Sequence, residues 1–233
     1  MKALLVRVGV DSSCGNWNGP VNSQTGEFAY VPIPESKQLH PQLIRPYSEL
    51  VSSLDKLGSR LPEWLAKENM HLDPDFSALT YGDQGQRAVQ INTKLSTGDL
   101  IVFYAGLRDV KSRALVYGLI GLLVVERIKR AKDIPASEWQ FNAHTRRVLL
   151  QDSTDIVVIG QKNLSGRLSR CLPIGSYRDR AYRVYPELLS EWGGLTVNDG
   201  YLQRSARLPE ILDAKLFYFW LQNQKVELLN CNN

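Results

Sequence analysis

The sequence predicts an α+β protein: a small, strongly curved β-barrel surrounded by short helices and long loops. Two apolar runs, residues 100–105 and 114–125, follow one another across a polar loop, and the first is rich in β-branched and aromatic residues, as buried strands are. Gly118 and Gly121 interrupt the second run, and glycines within a strand are typical of bulges and barrel corners. We therefore expect a β-hairpin at the centre of a curved barrel.

Before the hairpin, residues 3–10 form a mostly apolar run that predicts a central strand, and 28–34 predicts an edge strand because its prolines cannot donate to a ladder. Between 36 and 72, apolar residues recur at spacings of three and four, which predicts short helices. After the hairpin, 155–160 and 182–185 predict strands and 187–192 a short helix. The chain is interpreted as a single domain, 1–233, with a helical insertion at about 36–72.

Composition limits the class of protein. The chain has 233 residues, of which 43% are hydrophobic and 22% charged, as in ordinary globular proteins. It has no apolar run long enough to cross a membrane, and its N-terminal apolar run is too short for a signal peptide. The three cysteines lack the short spacing of a zinc site. We therefore expect a soluble, cytoplasmic protein without a membrane partner.

The charge pattern permits an anionic partner without requiring one. The net charge is +4, and arginines cluster between residues 165 and 183, with Arg146 and Arg147 before them. Arginine, rather than lysine, suits phosphate recognition. The alternative is that these arginines are scattered over a solvated surface. The candidate phosphate-binding residues are Arg146, Arg147, Ser165, Arg167 and Arg170.

Three aspartates, Asp73, Asp75 and Asp83, lie close together in the sequence. Their spacing does not match a calcium-binding loop, and Asp-Pro commonly opens a turn. No dinucleotide or phosphate-loop fingerprint is present. The sequence therefore predicts neither a metal site nor a cofactor.

The arrangement of a Gly-Asp turn, an apolar strand, a polar loop and a glycine-containing strand resembles the PUA-like superfamily, which includes the ASCH and EVE domains. That resemblance implies a barrel with a cleft for RNA, DNA or a single modified base. Four further segments resemble the nucleotide modification associated domain 3 family over most of the chain: VRVGVDSSCGNWNGPVNSQTGEFAYVPIPE, TYGDQGQ, GDLIVFYAGL and FNAHTRR. The family is defined by its association with bacterial and phage systems that modify DNA bases, and the resemblance implies no defined activity.

One hypothesis is a nucleic-acid-binding module that recognises a modified or flipped base in a DNA-modification or phage-defence context. Aromatic side chains would stack on the base, polar ones would bind its edge, and the arginines would hold phosphates. The expected partner is DNA rather than RNA, or a nucleotide. Trp17 could instead cover the core. The candidate base-binding residues are Asn16, Trp17, Tyr81, Gln84 and Tyr104.

The alternative hypothesis is an enzyme that acts on a nucleotide or DNA base. Asp11 directly follows a predicted buried strand, and Asp11 or Asp83 would be the general base, with His144 as acid or phosphate ligand. A third possibility is an interaction subunit, since the apolar segment 216–221 must be buried in the core or in a contact such as a homodimer.

Overall fold

The structure, a computed structural model, describes residues 1–11, 14–202 and 206–233. Within these ranges the protein is a mixed α+β structure with one large sheet and several short helices. The strands are β1 (Ala3–Arg7), β2 (Pro20–Val21), β3 (Ile33–Pro34), β4 (Met70–His71), β5 (Thr80–Asp83), β6 (Leu100–Asp109), β7 (Leu115–Arg130), β8 (Ile156–Gly160), β9 (Gly166–Arg178), β10 (Ala181–Val184), β11 (Glu210–Ile211) and β12 (Leu228–Leu229).

The helices are short and lie between the strands. The α-helices are α1 (Val51–Lys56), α2 (Glu63–Ala66), α3 (Gly85–Lys94), α4 (Ala143–Arg146), α5 (Pro186–Glu191) and α6 (Ala214–Asn223). The 3-10 helices are Pro41–Leu43, Tyr47–Leu50, Ala131–Asp133, Ala136–Phe141 and Asn198–Gly200. The short helices predicted between 36 and 72 are therefore confirmed, as is the helix after β10. Among the described residues, no helix combines the length and hydrophobicity needed to cross a bilayer.

The predicted central hairpin is also confirmed. β6 and β7 pair antiparallel, with Leu100 opposite Val124, and the register shifts between Phe103 and Tyr104. Gly121 is needed where β9 approaches β7, because a Cβ atom there would lie 2.7 Å from the carbonyl oxygen of Gly166. β1 is central as predicted, lying between β6 and β11.

The sheet does not close into a barrel in the described part of the chain, so the predicted PUA-like barrel is not confirmed. The strand order is β10-β9-β7-β6-β1-β11. The long strand β7 pairs with β8 over one part of its length and with β9 over another, and residues 161–165 join these two strands. β5 pairs with β8, whereas β10 and β12 pair with β9. The sheet thus divides at residues 161–165 into two branches, a fork, and within the described ranges its outer strands do not pair with each other.

Two hydrophobic clusters cover the sheet, and the C-terminal apolar segment contributes to one of them. Phe217 and Leu221 of α6 are buried there, while Phe219 is 64% exposed. The predicted edge strand at 28–34 shortens to β3, which pairs with β4 in a separate two-stranded sheet. This small sheet matters for the site, because it places Glu35, directly after β3, beside His71 at the end of β4.

Candidate active site

Two histidines and one aspartate converge between β4, β5 and α4. Oδ2 of Asp73 lies 3.6 Å from Nε2 of His144 and 3.9 Å from Nε2 of His71. All three side chains are buried, and one ligand atom from each lies within 4.8 Å of the others. We call these three residues the His-Asp cluster.

A carboxylate holds the opposite ring nitrogen of each histidine. Nδ1 of His71 lies 2.6 Å from Oε2 of Glu35, and Nδ1 of His144 forms a very short hydrogen bond with Oδ1 of Asp155. An ionised carboxylate can only accept a hydrogen bond, so each Nδ1 carries the proton and donates it. With Nδ1 committed to a carboxylate, Nε2 is the nitrogen of each imidazole that faces Asp73 and is available as a metal ligand.

Arg147 joins the two supporting carboxylates. Its Nη2 donates to Oε1 of Glu35 at 2.9 Å, and its Nη1 lies 3.5 Å from Oδ1 of Asp155. Nη2 also lies 3.1 Å from Nδ1 of His71, but a guanidinium only donates and that nitrogen already carries a hydrogen. The guanidinium therefore fixes the carboxylates, and through them the orientation of both imidazoles.

Hydrogen bonds from two further residues orient Asp73. Its Oδ1 accepts from the backbone N–H of Gly82 at 2.9 Å and from Nδ2 of Asn142 at 3.1 Å. Oδ1 of Asn142 accepts from the backbone N–H of His144 at 2.8 Å and thereby caps α4. The Asn142 side chain thus links the aspartate to the helix that carries one of the histidines.

The burial of the cluster determines its ionisation. Burial raises the pKa of Asp73 well above its ordinary value. Burial also lowers the pKa of His71 to about 4, which leaves its ring neutral near pH 7. For Glu35 and Asp155, burial opposes ionisation, but their hydrogen bonds, chiefly to His71 and Arg147 for Glu35 and to His144 and Ser153 for Asp155, outweigh it and lower each pKa to about 2. The supporting carboxylates are therefore charged, whereas the aspartate is costly to ionise without a cation.

This arrangement can hold a divalent metal ion. Three electron-pair donors face one another, and each histidine has the carboxylate partner on its second nitrogen that is usual for metal-binding histidines. Two imidazoles and one carboxylate suit zinc and also mononuclear iron. A proton on Asp73 is the other cation that could occupy the space between the three atoms.

A polar cleft of about 220 Å³ opens beside the cluster. Asp83 lies in it, accepts a 2.5 Å hydrogen bond from the hydroxyl of Tyr81, and is 3.8 Å from the guanidinium of Arg87. Arg7 also lines the cleft, and its guanidinium lies 3.1 Å from Asp11. The cleft therefore combines the half-buried carboxylate of Asp83 with three arginines, because Arg147 lines it as well.

The structure places some of the predicted site residues together. His144, Tyr81, Asp83, Gln84 and Arg147 all line this cleft. Asp11 is buried behind Arg7 and does not line it. The two residues after Asp11 lie outside the described ranges.

The remaining predicted residues lie elsewhere. Tyr104 is 1% exposed within the core, so a base cannot stack on it in this conformation, and Asn16 and Trp17 line a different cavity. The expected phosphate-binding group is dispersed: Arg146 is buried against Asp75, Ser165 is buried with its hydroxyl on the backbone of Val124, Arg167 lies over the ring of Phe28, and Arg170 donates to the carbonyl of Gln224.

Sequence reasoning missed His71, Glu35 and Asp155, and considered Asp73 only as part of an acidic group. The available signal was His71-Leu72-Asp73 with His144 further along the chain. This places two potential ligands two residues apart, and a third distant in sequence. Glu35 and Asp155 carried no local signal, because their role depends on which histidine they reach.

The fold and the cleft define an α+β protein with a buried two-histidine, one-aspartate cluster at the base of a polar cleft. The chain matches the family described as nucleotide modification associated domain 3 over residues 2–222. It belongs to that family. A search of curated proteins and a search of solved structures each found no match.

Proposed function

We propose that this protein is a metal-dependent enzyme that acts on a nucleotide or a nucleic-acid base in nucleotide modification. The observation that carries the proposal is the convergence of Nε2 of His71, Nε2 of His144 and Oδ2 of Asp73. Membership of the nucleotide modification associated domain 3 family supports the substrate class.

The number of ligands favours a catalytic metal over a structural one. Structural zinc sites are commonly closed by four protein ligands, whereas catalytic sites keep a position for water or substrate. In the described parts of the chain, the group that could hold a metal has three members. The adjoining cleft supplies the space in which a substrate would reach the open positions.

The chain's own residues suggest how the reaction would be assisted. Asp83 is the cleft carboxylate that is not assigned to the metal, and it serves as general base with Tyr81 holding its orientation. Arg7 and Arg87 line the cleft and offer N–H donors to polar groups of the substrate. The bound metal would supply Lewis-acid activation of water or of a substrate oxygen.

The second candidate is a binding module that recognises a modified or flipped base in DNA, in a DNA-modification or phage-defence context. The observation that favours it is the half-exposed Trp17, which lines a cavity with three arginines. A module of this kind would bind a modified oligonucleotide without converting it. DNA rather than RNA remains the proposed partner.

Metal analysis tests the enzyme proposal directly. Purified protein, incubated with zinc or anaerobically with ferrous iron and then desalted, should retain one equivalent of metal by mass spectrometry. His71→Gln and His144→Gln should retain little, whereas the control His40→Gln should match the wild type, because His40 stacks on Trp139 outside the cluster. Equal and low retention by all four proteins would mean that a proton on Asp73 occupies the cluster.

Activity then separates the two candidates. Oligonucleotides and free nucleotides are incubated with metal-loaded protein and the ordinary co-reactants of hydrolysis or oxygenation. The oligonucleotides are then digested, and the nucleosides are examined for a mass change. A change that disappears in His144→Gln supports the enzyme. Selective binding of a modified oligonucleotide that is independent of metal, with no mass change in any reaction, would favour the binding module.

A further inference from the structure

A second polar cavity, of about 490 Å³, lies between the connection of α1 to α2 in the helical insertion and the end of β6 with the loop that follows it. Three arginines line it, Arg60, Arg108 and Arg113, together with Asn16 and Trp17. We call it the arginine cavity. It is separate from the cleft of the His-Asp cluster and shares none of its lining residues.

The three arginines differ from most other arginines of the protein in their partners. Those of the cleft and core are paired with acids: Arg7 with Asp11, Arg87 with Asp83, Arg146 with Asp75 and Arg147 with Glu35. Across the described residues, no carboxylate forms an ion pair with Arg60, Arg108 or Arg113, and no acidic residue lines the cavity. Three uncompensated cations around one cavity favour an anionic ligand.

One of these cations is held in place by neutral groups. Nη1 of Arg108 donates to the carbonyl oxygen of Arg113 at 2.9 Å, and Nη2 lies 3.3 Å from Oδ1 of Asn18. Neither contact neutralises its charge. Trp17 packs partly against the hydrophobic cluster beneath the helical insertion and remains half exposed. The cavity therefore offers a fixed guanidinium, two exposed ones and an aromatic side chain.

The arginine cavity adjoins the cleft of the His-Asp cluster at Gly106. A Cβ atom on Gly106 would lie 3.4 Å from Nη2 of Arg7, which lines the cleft, and 3.6 Å from Nδ2 of Asn18, which lines the cavity. Asn18 also donates to the carbonyl oxygen of Gly106 at 2.9 Å. Arg7 of the cleft and Asn18 of the cavity therefore both lie against this glycine.

We propose that the arginine cavity binds phosphate groups of the nucleotide substrate whose base occupies the cleft; this inference rests on the proposed function. Arg60, Arg108 and Arg113 hold the phosphates, and Trp17 offers a surface on which a neighbouring base stacks. The phosphates belong either to the backbone of a polynucleotide or to a free nucleotide. The 220 Å³ cleft accommodates a base, and the larger cavity accommodates the charged remainder.

Binding of a fluorescent single-stranded DNA oligonucleotide, followed by anisotropy across a salt series, tests this proposal. The double variant Arg60→Gln/Arg113→Gln removes two exposed cations that support no other side chain by an ion pair. We expect its affinity to fall at least about tenfold, since the variant loses charge-assisted hydrogen bonds to phosphate. The slope of log affinity against log salt should decrease by roughly 1.4, about 0.7 for each lost phosphate contact.

The matched control is Lys129→Gln/Arg130→Gln, which removes two positive charges at the other end of β7 from Arg113. It should change affinity less than about threefold, as expected for distant screened charges. Equal weakening by both double variants, or weakening by neither, would overturn the proposal. Competition identifies the source of the phosphate: displacement by an unlabelled oligonucleotide alone assigns a polynucleotide backbone, and equal displacement by a deoxynucleoside triphosphate assigns a free nucleotide.

Metal analysis of the same proteins keeps the two proposals apart. Arg60→Gln/Arg113→Gln should retain metal as the wild type does, because neither arginine contacts the His-Asp cluster. If the wild type holds no metal and the double variant binds the oligonucleotide more weakly than the wild type, the metal centre is refuted and the arginine cavity is supported. If the wild type and the double variant both hold metal and bind the oligonucleotide equally well, only the proposal for the arginine cavity is refuted.

Discussion

Nε2 of His144 lies 3.6 Å from Oδ2 of Asp73, on the side of the imidazole opposite the Nδ1–H that donates to Asp155. Two electron-pair donors therefore face each other in a buried site, with Nε2 of His71 as the third. Such an arrangement is stable only with a cation between the donors, either a metal ion or a proton. Removal of the negative charge of Asp73 should therefore weaken metal binding but stabilise the metal-free protein.

Asp73→Asn separates those two properties. The variant should lose metal binding, because the anionic ligand is removed, and its amide can donate to an imidazole Nε2. In metal-free protein the free energy of unfolding should rise by about 1 kcal/mol at pH 7, because the neutral amide needs no proton, whereas burial forces the Asp73 carboxylate either to take one up or to stay charged. Urea unfolding with a chelator and metal analysis measure both quantities. Retention of full metal would contradict the assignment of Asp73 as a ligand.

Glu35→Gln tests the support behind His71. The glutamine keeps the size of the side chain but loses the charge that holds the Nδ1 proton, and loss of such support typically lowers metal affinity by 10- to 100-fold. Competition against a metal-binding dye measures the change. Glu49→Gln is the control, since Glu49 pairs with Arg45 at the surface. Equal affinities of the two variants would show that Glu35 does not act through the histidine.

Gly82→Ala should damage the site by steric contact alone. A Cβ atom at this position would lie 2.7 Å from Cγ of His144 and 2.8 Å from Oδ1 of Asn142. We expect a loss of about 1–3 kcal/mol in unfolding free energy, as for other overpacked sites, together with weaker metal binding. Gly106→Ala is the control, because a Cβ atom there makes only ordinary contacts. If His144 tolerates the methyl group without loss of metal, the cluster is less rigid than the contacts indicate.

Asp109 gives a prediction about pH that is independent of the cluster. Its carboxylate accepts hydrogen bonds from Ser112 and Ser23, and these lower its pKa well below the ordinary value. A lowered pKa in the folded state contributes stability above the pKa of the unfolded state, about 3.9, and that contribution disappears as the pH falls below it. Asp109→Asn should therefore reduce the unfolding free energy by about 1–3 kcal/mol at pH 7.

The difference between the wild type and Asp109→Asn should shrink when urea unfolding is repeated near pH 3. Asp152→Asn serves as the control, because Asp152 is exposed, and it should change stability little at either pH. A difference for Asp109→Asn that is as large at pH 3 as at pH 7 would mean that its carboxylate does not act through its charge.

Trp17 and Tyr104, both predicted to stack on a base, should now behave differently. Trp17→Ala should weaken oligonucleotide binding by roughly 5- to 150-fold, the equivalent of about 1–3 kcal/mol for one stacking contact. Tyr104→Phe should leave binding unchanged, because the ring is buried in the core. Anisotropy measures both. Unchanged binding by Trp17→Ala would assign that side chain to covering the core.

The local sequence patterns were sufficient for much of the secondary structure. The β6–β7 hairpin follows from two apolar runs around a polar loop, and the short helices before residue 72 follow from apolar spacing. Both patterns reflect interactions between residues close in sequence. Closure of the sheet depends on pairing between distant strands, and the prediction of a barrel did not anticipate the fork at residues 161–165.

The candidate site divides in the same way. The sequence alone determined the family, through four motif-like segments, and it indicated His144, Arg147 and Asp83 as residues with chemical potential. Only the tertiary structure brought Glu35, His71, Asp73 and Asp155 to His144. In each imidazole it placed Nδ1 on a supporting carboxylate and left Nε2 facing Asp73. The physical reason is that a residue's type is local, whereas hydrogen-bond partners, burial and the distances between ligand atoms arise when distant segments pack together.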